Sequence, residues 1–85
     1  MTVPVLSKVE QAILAILDNF PDEEVSGRTL RSLLRDLGFR RTAPAFYFTM
    51  MNLEDKGLVT RREETRVLDG VEVRDRFYRA KEGTW

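Results

Sequence analysis

The sequence predicts an α+β domain in the winged helix-turn-helix arrangement: three helices followed by a two-stranded β-hairpin wing. Three observations predict it. Ser7, Ser26 and Thr42 are good helix N-cap residues, and each opens a stretch whose apolar residues recur at spacings of three and four. Gly38 and Gly57 stand where the second and third helices close. After Gly57 the pattern becomes strand-like, and Asp69-Gly70 divides two extended runs, the strongest short-range hairpin signal. With 85 residues, a single domain covering 1–85 is expected.

The first helix is expected over about residues 7–20. Ser7-Lys8-Val9-Glu10 is a capping box: the Ser hydroxyl accepts from a free backbone N–H and the Glu reaches back. Val9, Ile13, Ile16, Leu17 and Phe20 form one apolar face. Pro21 and Asp22-Glu23-Glu24 end it. The second helix is expected over about 27–37, with Leu30, Leu33, Leu34 and Leu37 as its buried stripe. Arg28, Arg31 and Arg35 lie on its other faces. The third follows after a short turn, over about 43–56, with Pro44 in its first turn and Phe46, Met50 and Leu53 buried. Two helices joined by a tight turn, after a preceding helix, make the helix-turn-helix.

The wing strands are expected over about 58–68 and 71–80. A two-residue turn at Asp69-Gly70 pairs Leu68 with Val71, Arg66 with Val73 and Glu63 with Arg76. It also sets Glu64 opposite Asp75, an unfavourable like-charge pair. A bulge, common in long hairpins, would change that register.

Composition excludes several functions. There is no cysteine and no histidine. Disulfides, thiolate metal sites and the commonest general base near neutral pH are therefore absent. Ser26 and Thr42 have no His base and read as caps. Asp22-Glu23-Glu24 reads as a solvated acidic loop, so no metal or other cofactor is expected, and no catalysis. The longest wholly apolar run, Ala12–Leu17, has six residues. A membrane helix needs roughly 20. No secretory signal is visible, and a cytoplasmic protein is expected. No residue set identifies a small-molecule effector pocket.

Net charge is zero, but its distribution is uneven. Residues 1–25 hold one base and five acids, and residues 26–85 hold thirteen bases and nine acids. The basic part is compatible with a face turned to a polyanion.

The segment Phe46-Tyr47 through Leu53-Glu54-Asp55-Lys56-Gly57-Leu58-Val59 resembles the recognition-helix region of PadR-type winged-helix transcriptional regulators. Members show a Leu-Tyr pair, a Leu-Glu pair six residues on, and a Gly-Leu-Ile/Val. The tail Arg76-Phe77-Tyr78-Arg79-Ala80-Lys81-Glu82-Gly83 is similar to that family's last wing strand. Related MarR-like groups share the Leu-Glu-x-x-Gly-Leu/Val junction. The resemblance implies a regulator that binds double-stranded DNA. Two departures stand out. Phe48, Thr49, Met50 and Met51 occupy positions where family members carry polar or basic residues, and the family's C-terminal dimerisation helix has no counterpart before Trp85.

A DNA-binding third helix would place Thr42, Ala45, Tyr47, Phe48 and Asn52 in a major groove. Asn suits adenine, and Phe or Ala can touch a thymine methyl. Arg40 and Arg41, in the turn before that helix, and Arg28 and Arg31, on the second helix, are candidate phosphate contacts. Arg61, Arg62, Arg66, Arg74 and Arg76 would line the wing, although Glu63, Glu64, Glu72 and Asp75 offer them partners within it. The competing reading makes Phe48 and Met51 a surface for another protein. The apolar ends, Val3, Val5, Leu6 and Trp85, together with the first helix, favour a homodimer.

Overall fold

The computed structural model describes residues 5–81. It is an α+β structure of three helices and a three-stranded antiparallel sheet. The elements run α1 (Lys8–Asp18), β1 (Val25–Ser26), α2 (Gly27–Asp36), α3 (Ala43–Asp55), β2 (Val59–Leu68) and β3 (Val71–Ala80).

Each helix opens on the residue expected to cap it. The Ser7 hydroxyl accepts from the Glu10 N–H at 3.2 Å, and the Glu10 carboxylate accepts from the Ser7 N–H at 3.0 Å, closing the capping box. Ser26 Oγ accepts from the Thr29 N–H at 3.1 Å, and Thr42 Oγ1 from the Ala45 N–H at 3.3 Å. α2 and α3 end alike. Gly38 and Gly57 take positive φ, 94° and 74°. The following residue folds back: the Phe39 N–H donates to the Leu34 carbonyl at 3.1 Å, and the Leu58 N–H to that of Leu53 at 3.0 Å. Both are Schellman closures, and in both the residue after the glycine packs on the core.

That geometry corrects the expected stripe of α2. Leu30 and Leu34 are fully buried and Leu33 is half-buried, but Leu37 is 58% exposed. Leu37 is the C-cap, where the chain leaves the helix, and Phe39 covers the core in its place. α1 also stops earlier than expected. Pro21 disfavours helical geometry at Phe20, so the helix closes at Asn19, and Phe20 is exposed rather than part of the apolar face. Leu14 joins Ile13, Ile16 and Leu17 in the core instead. In α3, Phe46, Met50 and Leu53 are fully buried, as the spacing predicts.

The sheet has three strands where the sequence suggested two. Val25 and Ser26 pair with Tyr78 and Phe77, giving the order β1-β3-β2. This short strand holds the start of α2 against the base of the hairpin. The turn has the positive φ values of a two-residue hairpin, 51° at Asp69 and 78° at Gly70. Pairing then continues unbroken from Leu68↔Val71 to Val59↔Ala80, with no bulge. Glu64 does face Asp75. Arg66, 2.6 Å from Asp75, and Arg62, bonded to Glu64, offset the repulsion.

Only the base of the hairpin is anchored. Val59 and Tyr78 are buried, whereas residues 60–72 are exposed throughout. Burial pushes the Tyr78 hydroxyl up to about 12. The hairpin stretches the longest dimension of the structure to 50 Å.

A second anchor joins the two ends of the helical layer. Glu10, only 7% exposed, accepts from Lys56 Nζ at 2.7 Å, and Lys56 also donates to the Val5 carbonyl at 3.3 Å. Burial opposes ionisation of Glu10, but its bonds from Lys56 and Ser7 outweigh this and lower its pKa. Val5 is exposed and Leu6 packs against the core. Val3 and Trp85, named as apolar ends, lie outside the described residues, as do Glu82 and Gly83 of the tail motif. Among the described residues no helix is long and apolar enough to cross a membrane.

Candidate nucleic-acid interface

α2 and the turn before α3 build a cleft of about 840 Å³. Arg28, Arg31 and Arg35 line one side because spacings of three and four place them on one helical face. The Schellman closure at Gly38 turns the chain back, so Arg40 and Arg41 face them. Ser32, Ala43 and Tyr47 complete the lining, and no carboxylate belongs to it. Arg31 is positioned by its own neighbour: its Nε–H donates to the Arg41 carbonyl at 3.2 Å. None of the five arginines has an ion-pair partner among the described residues.

Arg28 and Tyr47 also line a second hollow of about 360 Å³ at the base of the hairpin. Its lining is of mixed sign, with Arg66, Arg74 and Arg76 beside Glu64 and Asp75. Tyr47 stands at the junction. The Arg76 guanidinium lies 4.8 Å over its ring, and Phe46 meets it edge-on at 5.1 Å. Gly27 makes room for it: a Cβ there would lie 3.0 Å from the Tyr47 hydroxyl and 3.3 Å from the Tyr78 ring.

The hairpin arginines differ from those of the cleft. Arg61 pairs with Glu54 at 3.1 Å and Glu63 at 3.0 Å. Arg62 pairs with Glu24 at 2.9 Å and with Glu64, and stacks 4.7 Å over Phe77. The hydrogen bonds that Arg62 donates to these two acids raise its pKa, and Arg62 in turn lowers that of Glu24. Arg66 pairs with Asp75, and Arg76 with Glu63 at 3.4 Å. Arg74 alone of these five has no ion-pair partner among the described residues. The acidic loop serves the same end, since Glu24 holds Arg62 and Asp22 lies 4.0 Å from Arg79.

No protein-family model matches the chain, and no curated protein is significantly similar to it.

Of the third-helix residues named from sequence, Phe48 is 63% exposed, and Met51, beside it, is 54% exposed. With Pro44 and Asp55 they form the outward row of α3. Ala45 and Asn52 were expected on that outward face. They are half-buried on its flank, because the core centres on Phe46, Thr49, Met50 and Leu53. Thr49 is buried and donates its hydroxyl to the Ala45 carbonyl at 3.0 Å. Thr42 is exposed, but its hydroxyl oxygen is engaged as the cap. Arg35 and Ser32 were not among the sequence candidates. Their signal is the spacing Arg28-Arg31-Ser32-Arg35, which predicts one shared face.

Proposed function

We propose that the chain is a winged helix-turn-helix DNA-binding transcriptional regulator of the PadR type, working as a homodimer, with no catalytic role. In this reading β2 and β3 are the wing, and α3 lies in the major groove. Arg28, Arg31, Arg35, Arg40 and Arg41 hold the phosphates on either side. The observation that carries the reading is the segregation of charge. A protein of zero net charge keeps five arginines together, without acids, beside the start of α3. The positive end of the α3 dipole adds to the same field. Base reading falls to Phe48, whose ring suits a thymine methyl, with Asn52 and Ala45 at the edge of the contact. Among the described residues, Arg74 is the one wing arginine without an ion-pair partner, which leaves it available for a backbone contact.

The test is duplex binding by fluorescence anisotropy at about 50 mM salt, where phosphate contacts are strong. Arg41→Ala is expected to weaken binding uniformly across sequences and to reduce the salt slope by about one per bound protomer. Absence of duplex binding by the unaltered protein at that salt refutes the proposal.

The outward row Pro44, Phe48 and Met51 favours a second reading, an interaction module that presents α3 to another protein. Asp55 at the end of that row repels phosphate and suits this alternative. Phe48→Ala separates the two. Under the DNA reading it alters sequence preference, and under the interaction reading it leaves duplex binding untouched and abolishes capture of the partner.

A further inference from the structure

We propose that the arginine cleft between α2 and the turn before α3 binds a free condensed-phosphate ligand, a chain of two or three phosphates such as a nucleoside triphosphate carries, and that this ligand excludes DNA from the same arginines. Exclusion rests on the DNA-binding reading above; occupancy of the cleft does not.

Shape is the first reason. The cleft is concave, and its volume of about 840 Å³ lies within the roughly 300–1,000 Å³ of small-molecule sites. The second reason is charge. Like guanidinium charges repel across the free cleft, and no carboxylate relieves them. One phosphate monoester carries a charge of about −2 at most, too little for five arginines, so a chain of phosphates is the better complement. The third reason is reach. Arg28 and Arg35 are seven residues apart, about 10 Å along the helix axis, with Arg31 between them, so donors follow one another along the groove.

Preorganisation supports this choice. The bond from Arg31 Nε to the Arg41 carbonyl at 3.2 Å fixes the guanidinium plane and leaves its terminal nitrogens for a phosphate. Ser32 and Tyr47 belong to the same lining. The hairpin shows the opposite organisation: Arg61, Arg62, Arg66 and Arg76 are each within 3.4 Å of a carboxylate. Among the described residues, arginines without an ion-pair partner are thereby concentrated in this cleft, with Arg74 the exception on the hairpin.

Isothermal titration calorimetry of the full chain with tripolyphosphate, ATP and AMP tests this. Tripolyphosphate and ATP are expected to bind one to one, and AMP about tenfold more weakly or not at all. ATP tighter than tripolyphosphate assigns the ligand as a nucleotide, and equal affinity assigns the phosphate chain itself. Arg31→Gln and Arg35→Gln are each expected to cost about tenfold or more, while Arg66→Gln changes nothing. All three positions are exposed, and unchanged circular dichroism confirms that each variant folds. Lack of saturable binding overturns the proposal, as does an equal loss with Arg66→Gln, which would mean diffuse charge rather than a site. In a parallel arm, ATP is titrated against a labelled duplex. Duplex binding without phosphate binding overturns the cleft ligand and leaves the DNA reading. Phosphate binding without duplex binding supports the cleft ligand and removes the DNA reading.

Discussion

Glu10→Gln isolates the charge of one buried carboxylate. Glu10 accepts from Lys56 at 2.7 Å and from the Ser7 N–H at 3.0 Å. Glutamine keeps the volume and an acceptor for Ser7 but turns a charge-assisted bond into a neutral one. Charged hydrogen bonds contribute about 1 kcal/mol more than neutral ones, which sets the expected loss. In a domain this small that is ~4–8 °C of melting temperature. Glu10→Ala removes both bonds, undoes the capping box and leaves Lys56 with only the Val5 carbonyl; about 2–3 kcal/mol is expected. The pH dependence follows from the lowered pKa. A depressed carboxylate contributes fully above its ordinary value of 4.5 and loses that contribution as pH falls through the folded-state pKa. Thermal melts by circular dichroism at neutral pH therefore separate wild type from Glu10→Gln, and the gap closes as pH falls below 4.5. Equal melting temperatures at neutral pH, or a gap undiminished at about pH 3, would refute the reasoning.

Three further outcomes are expected. Leu34→Ala, in the core, costs about 3 kcal/mol in chemical denaturation, while Leu37→Ala, at the exposed C-cap, costs less than about 0.5 kcal/mol; similar losses would contradict the ending of α2. If the cleft arginines alone meet phosphate, the salt slope of duplex binding is about −4.5 per bound protomer, a loss of about 500-fold for each between 50 and 200 mM salt. If Arg61, Arg62, Arg66, Arg74 and Arg76 bind as well, it approaches about −9 per bound protomer. Gly70→Ala places a side chain at φ 78°, which costs about 1 kcal/mol. Amide exchange near the hairpin tip then accelerates while α1 and α3 keep their protection.

Signals that act over a few residues were legible in the sequence. Capping by Ser7, Ser26 and Thr42, closure at Gly38 and Gly57, and the hairpin with its register all follow from local geometry. Periodicity fails at helix ends: Phe20 and Leu37 continue an apolar pattern past the point where the backbone leaves the helix. β1 escaped because two residues show no alternation, and Val25 is drawn into the sheet by Tyr78, far along the chain. In the candidate site, Arg40 and Arg41 were legible from their place before an N-cap. Arg35 was on a legible face, but that this face shares a cleft with the turn depends on the path after Gly38. The pairing of Arg76 with Glu63 is implied by register, whereas that of Arg62 with Glu24 spans 38 residues and needs the folded sheet.

The long hairpin is a lever. Its ten-residue strands project about 30 Å at ~3.4 Å per residue, and only the base is gripped, by Val59, Tyr78 and the Arg76–Tyr47 stack. A tilt of roughly 5° at that fulcrum carries the tip about 3 Å. Tyr47 belongs both to the fulcrum and to the lining of the arginine cleft. Any adjustment of its ring that tilted the hairpin would be magnified at Leu68 and Val71, where a label at the tip would read it.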